Sequence, residues 1–174
     1  MKTAIRLLLV TSFLVAFTPP AARAADVNPA AMSGPARPKL DASTCAAFPS
    51  QATCDFQEVG VCSSDAVTLA DAVTGSPFRV RVFLRYSSLC QSAWARATNL
   101  DELFFLNVSA RIRRNDGATT MSMAFYPDTD AKSKMLFIGP PGSLLSCARA
   151  IGSLEGIQNG SPVSQARTPC EFPN

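Results

Sequence analysis

The sequence predicts a mainly β domain: a small antiparallel sandwich or barrel-like fold with one short helix, stabilised by disulfides. Three observations carry this. Residues 78–86 and 103–113 alternate apolar and polar side chains with a period of two, the signature of a strand with one wet face. Turn signals separate the runs: Thr74-Gly75-Ser76-Pro77, Asn115-Asp116-Gly117 and Pro127-Asp128-Thr129-Asp130. The cysteines number six, an even set with no C-x-x-C spacing.

Residues 1–24 read as a signal peptide. Lys2 and Arg6 form a charged start, Leu7 to Phe17 an apolar run too short to span a bilayer, and Ala22-Arg23-Ala24 a small-residue cleavage site. No cysteine stands at that point to take a lipid. The expected product is secreted or periplasmic and starts at Ala25, with no transmembrane segment. Of the 16 lysines and arginines, three (Lys2, Arg6 and Arg23) leave with the leader, so 13 basic residues face 13 acidic ones. The formal +3 therefore gives no argument for nucleic acid or anionic lipid, no nucleic-acid partner is expected, and any electrostatic argument has to rest on local patches. About 150 residues remain, enough for one domain that buries roughly 70% of its unfolded surface.

Residues 25–43 hold three prolines, much alanine and no apolar period, and read as a disordered Pro/Ala-rich linker. Residues 44–174 form the expected disulfide-bonded domain. Its cysteines are Cys45, Cys54, Cys62, Cys90, Cys147 and Cys170. In an exported chain an even set implies three disulfides. The expected pairing joins Cys147 to Cys170 and Cys90 to one of Cys45, Cys54 or Cys62, with the other two together. Zinc is not expected, because the chain has no histidine to complete a ligand set, and no cofactor is expected.

Cys45 to Cys62 reads as a loop held by covalent bonds. Residues 65–73 read as a strand that turns at Gly75 into the next, with Val80, Val82, Leu84 and Tyr86 on one face and Arg79, Arg81 and Arg85 on the other. Ser88 and Gln91 then suggest a capping box, and Cys90, Ala93, Trp94 and Ala97 fall at helical spacing, so the one tryptophan is expected on the core face of a short helix. From 103 to 113, Leu106, Val108, Ala110 and Ile112 face one way. A two-residue turn at Asp116-Gly117 would set Ile112 against Met121 and Ala110 against Met123. Residues 135–138 read as a short strand, Gly139 to Gly142 as a break, and the chain from Gly152 as a loop tied down at Cys170.

Cys62-Ser63-Ser64-Asp65-Ala66-Val67-Thr68, Leu84-Arg85-Tyr86-Ser87, Cys90 and Trp94-Ala95-Arg96 resemble the YjfA-like family of secreted bacterial proteins of unknown function. That family's C-x-G-K-x-P segment is replaced here by Cys54-Asp55-Phe56-Gln57-Glu58. The resemblance implies a secreted, disulfide-bonded, mostly β domain and no particular activity.

Several constellations bear on function. Arg79, Arg81 and Arg85 share one strand face and Arg111 and Arg113 another; if those strands are neighbours, they form one patch for an envelope polyanion. The plainer reading is that arginines keep the wet face of a sheet soluble. Asp128-x-Asp130 suits a turn better than calcium, which needs six or more oxygens. Asp101-Glu102 offers adjacent carboxylates, although a glycosidase needs two facing each other across a cleft. Without histidine, imidazole-assisted hydrolysis is excluded, and Lys39, Lys132 and Lys134 do not suggest a serine–lysine pair. No catalytic residue is therefore assigned, and the Asn107-Val108-Ser109 sequon sits inside a strand.

The preferred reading is a non-enzymatic binding or envelope-associated module whose partner is a polyanion or a secreted protein. The alternatives are an inhibitor of an extracellular hydrolase, acting through an exposed loop at Gly139–Gly142, or a secreted carboxylate-dependent hydrolase. Sequencing the amino terminus of the exported protein should return Ala25-Asp26-Val27; recovery of Met1 would remove the export reading.

Overall fold

Alternation along the strands decides which side chains meet. In β2 (Val80–Ser87), Val80, Val82, Leu84 and Tyr86 are fully buried while the residues between them point outward. They meet Ala93, Ala95 and Ala97 of β3 (Ser92–Asn99), Val108, Ala110 and Ile112 of β4 (Leu106–Arg114), and Ala150 and Leu154 of β8 (Ala148–Gly156) in one core. The fold is therefore a mainly β sandwich of two antiparallel sheets, here seen in a computed structural model that describes residues 41–101, 106–144, 146–156 and 161–173. These residues lie in the compact unit Pro38–Asn174. The expected signal peptide and the expected linker as far as residue 40 lie outside them.

The first sheet has the order β1-β2-β3-β6, with β1 at Val67–Val73, β6 at Asp130–Lys132, and β7 (Leu136–Phe137) also pairing with β3. The second has the order β5-β4-β8-β9, with β5 at Thr119–Ala124 and β9 at Pro162–Arg167. The β1–β2 hairpin forms as its sequence suggests, with one irregularity between Thr68 and Ala70.

The inner faces are dominated by alanine and branched aliphatics, which lets the sheets come close. Gly152 marks the tightest point: a Cβ there would lie 2.9 Å from Val82 Cβ and 3.0 Å from Ala97 Cβ. At the rim, the buried Tyr86 hydroxyl donates to Gly139 O at 2.8 Å. Burial, and secondarily the charge of Asp65, push the Tyr86 pKa up to about 12.

The structure departs from the sequence reading in four places. Residues 92–99, expected as the Trp94 helix, form β3 and pair with β2 from Ser87↔Ser92 to Val80↔Asn99. The start of β3 is buried on both faces, so its run of buried positions mimics a helical stripe. The expected linker gives way at Asp41 to α1 (Ala42–Ala47), and the 45–62 segment, expected as loop, holds the rest of α1, α2 (Gln51–Cys54) and most of a 3-10 turn at Gly60–Ser63. Asp41 caps α1 by accepting from Ser43 N and Thr44 N, and Ser50 caps α2, although elements this short do not hold themselves in water.

The β4–β5 register is shifted by one from the expected one: Ile112 faces Thr120 and Ala110 faces Ser122, while Met121 pairs with Arg111 on the outer face. A three-residue loop causes this. Arg114 N bonds Ala118 O, Gly117 takes φ +96, and the Asp116 carboxylate accepts from Ala118 N. Finally, the tail from Gly152, expected as loop, supplies the second half of β8 and all of β9. Its glycines and alanines, which carry no apolar period, face the narrow core instead.

Gly152→Val should force Val82 and Ala97 apart and cost about 1–3 kcal/mol in urea denaturation. Unchanged stability would show that the sheets have room to spare.

Candidate functional site

Trp94 lies opposite Arg85, so its side chain points away from the sandwich core. It is nevertheless buried, because α1, α2 and the 3-10 turn cover it in a second apolar cluster with Ala42, Cys45, Cys54, Cys62, Cys90 and Met135. Two disulfides hold this cap: Cys45–Cys54 joins its helices, and Cys62–Cys90 ties the 3-10 turn to the β2–β3 turn. The third, Cys147–Cys170, closes β8 on the segment after β9. The pairing agrees with the one expected and resolves the partner of Cys90 as Cys62. Sulfurs of Cys45, Cys62 and Cys90 lie within 4.8 Å of one another, but each is oxidised in a disulfide and offers no thiolate to a metal.

The motif residues of the sequence converge on the same joint. Asp65 accepts from Ser87 Oγ at 2.5 Å and from Leu89 N at 2.7 Å, fixing the β2–β3 turn. Arg85 donates to Thr68 Oγ1 and to Ala66 O, each at 2.6 Å, fixing β1 against β2.

The arginines singled out in the sequence fall into two groups. Arg79, Arg81 and Arg85 belong to the first sheet and its approach, whereas Arg111 and Arg113 lie on β4 of the second sheet. The strands are not neighbours, so the five do not make one patch. Arg79 is engaged by Asp101 at 2.7 Å and Arg81 by Asp71 at 2.8 Å. Hydrogen bonds from the Arg79 backbone and side chain hold the Asp101 carboxyl below its ordinary value.

On the outer face of the second sheet a different arrangement emerges. Arg113 of β4 stands directly opposite Arg149 of β8. Directly opposed like charges repel. Neither guanidinium has a partner among the described residues. Between them and the Cys147–Cys170 disulfide opens a cleft of about 350 Å³, also lined by Arg114 and Asn115. Arg114 is only 4% exposed and is spoken for: it pairs with Asp55 at 3.0 Å and Asp116 at 2.8 Å and donates to Phe137 O. Burial alone would lower its pKa, but hydrogen bonds and charge from Asp116 and Asp55 raise it on balance, and Arg114 in turn lowers that of Asp116.

Arg111 on β4 and Arg167 on β9 extend the basic surface from this cleft along the same face. Glu155 also faces outward, but towards the other end of the strands, where it accepts from Ser109 Oγ at 2.6 Å. Sequence reasoning missed Arg149. The signal was there in its flanking Ala148 and Ala150, which face the core from a strand not recognised as one.

Other candidates resolve as follows. Asp130 accepts from Arg96 and Thr98, so it serves the β3–β6 edge. Lys134 pairs with Glu58, while Glu102 and Lys39 lie outside the described residues. Asn107 is buried and its Oδ1 accepts from Tyr126 N. The Gly139–Gly142 loop is pinned by bonds from Gly139 N to Gln91 O and from Gly142 N to Pro173 O.

The family described as "Protein of unknown function (DUF2690)" matches residues 50–147, which run from the start of α2 to the residue before β8. No curated protein and no solved structure matches the chain.

Arg149→Ser should leave stability unchanged or raise it by up to about 0.5 kcal/mol at low salt, because it removes a repulsion and no bond. A loss of about 1 kcal/mol or more in urea denaturation would show that Arg149 has a structural role.

Proposed function

Starting from a chain that belongs to the DUF2690 family, whose function is unknown, we propose an exported, non-enzymatic module that binds a polyanion on the outer face of its second sheet. The Arg113–Arg149 pair carries the reading. Two unpartnered guanidinium groups stand side by side on adjacent strands at one wall of a cleft, an arrangement that costs stability until an anion binds both. Planar guanidinium forks match phosphate, sulfate and carboxylate oxygens with paired hydrogen bonds.

The cleft lining supports binding rather than catalysis. Arginine keeps its proton at all physiological pH values, and an asparagine and a disulfide add no acid or base. The shifted aspartates Asp41, Asp101 and Asp116 are all lowered, which suits acceptors in bonds rather than proton donors. Arg111 and Arg167 continue the charge beyond the cleft, which favours a polymer over a small ion.

Export is supported by the amino-terminal leader pattern and by three disulfides, which persist in oxidising compartments. No helix among the described residues is long and apolar enough to cross a membrane. The partner is then an envelope polymer or a secreted acidic protein, and the motif spacing supports the narrower YjfA-like identity.

Arg113→Ser with Arg149→Ser should weaken binding to immobilised polyphosphate at low salt by about tenfold, or about 1.4 kcal/mol. Arg79→Ser with Arg81→Ser should bind as wild type, since those charges are already paired. Full binding by the first variant would overturn the proposal.

A further inference from the structure

A second cationic cleft lies on the opposite side of the sandwich. The arginine pair faces outward from the second sheet, whereas Arg85, Trp94, Arg96 and Lys132 share the outer face of the first: Arg85 pairs with Trp94 across β2 and β3, and Arg96 with Lys132 across β3 and β6. With Val59, Ser63 and Ala66 they line a cleft of about 170 Å³ where the disulfide-bonded cap ends.

The donors here are placed but not used up. Arg85 is locked by Thr68 and Ala66. Arg96 gives only its Nε to Asp130, leaving both terminal nitrogens open. Lys132 is exposed and has no partner among the described residues. Trp94, 3% exposed, shows an edge to the cleft, and its indole N–H takes no acceptor among the described residues. The lining holds three cations and no carboxylate, and of the three only Arg96 is in an ion pair, with Asp130 beside the cleft.

We infer that this cleft is a second oxyanion site, and that the protein is a two-sided linker that bridges separate polyanion chains. The inference rests on the reading of the Arg113–Arg149 cleft as the first such site. The sites face away from each other because the inner faces of the two sheets form the core. A short anion cannot engage both at once, and a polymer held at one face leaves the other free for a second chain. Two sites linked through a rigid body convert modest single affinities into a network.

Tripolyphosphate titrated calorimetrically into the full mature chain should bind with two equivalents. Lys132→Glu with Arg96→Gln should leave one equivalent, as should Arg113→Ser with Arg149→Ser. Lys132→Glu alone, at an exposed unpartnered position, should weaken the second site without altering the urea midpoint. Long-chain polyphosphate should raise light scattering of the wild type most at intermediate polymer ratios, at least tenfold above either paired variant, which bind without cross-linking.

One equivalent in the wild type, abolished by Arg113→Ser with Arg149→Ser, would overturn the second site and leave the first standing. One equivalent abolished instead by Lys132→Glu with Arg96→Gln would overturn the first. Two equivalents without cross-linking would overturn bridging. Scattering that survives in both paired variants would mark it as nonspecific and overturn bridging as well.

Discussion

The Cys62–Cys90 disulfide determines more of this molecule than any other single contact. It ties the 3-10 turn to the β2–β3 turn and so holds the cap over Trp94. Without that cover, a large indole would stand on the outer face of a sheet, where its burial could contribute nothing. The disulfide also sets the place where the cap stops, between Ser63 and Ala66, and the first-sheet cleft opens there. Asp65 and Arg85 reinforce the same joint with short bonds to the β2–β3 turn and to β1.

A second constraint is the closeness of the two sheets. Alanines on β3 and β8 and Gly152 between Val82 and Ala97 permit it. Burying a charge costs its solvation, so the charged residues stand on the outer faces. There the molecule treats its charges unequally. Arg79, Arg81 and Arg114 are matched with aspartates, while Arg113, Arg149 and Lys132 are left unmatched. In a chain with 16 basic and 13 acidic residues, that inequality is a property of placement more than of composition.

The site argument depends on the tail. The family match ends at Cys147, one residue before β8, yet β8 is an inner strand of the second sheet and brings Arg149 to Arg113. Cys147–Cys170 then closes the wall of that cleft. The first-sheet cleft, by contrast, is built wholly within the matched residues.

Much of this protein was legible in its sequence alone. Period-two alternation in residues 80–86 and 106–112 identified two core strands, because one-sided burial leaves its period in the side chains. The parity and neighbourhood of the cysteines were enough to anticipate the disulfide pattern up to the partner of Cys90. Where burial is two-sided, as at Ala93-Trp94-Ala95, the period disappears, and strand and helix read alike. Along Ala148–Gly156 the first core-facing positions are Ala148, Ala150 and Gly152, so the apolar alternation is carried by small residues and reads weakly before Leu154. Which arginines would face one another was set by sheet membership and register: a three-residue turn in place of two turned Met121 outward, and long-range pairing of β4 with β8 opposed Arg113 to Arg149. Those are contacts between residues far apart in the chain, decided by how whole sheets close on each other, and no local pattern encodes them.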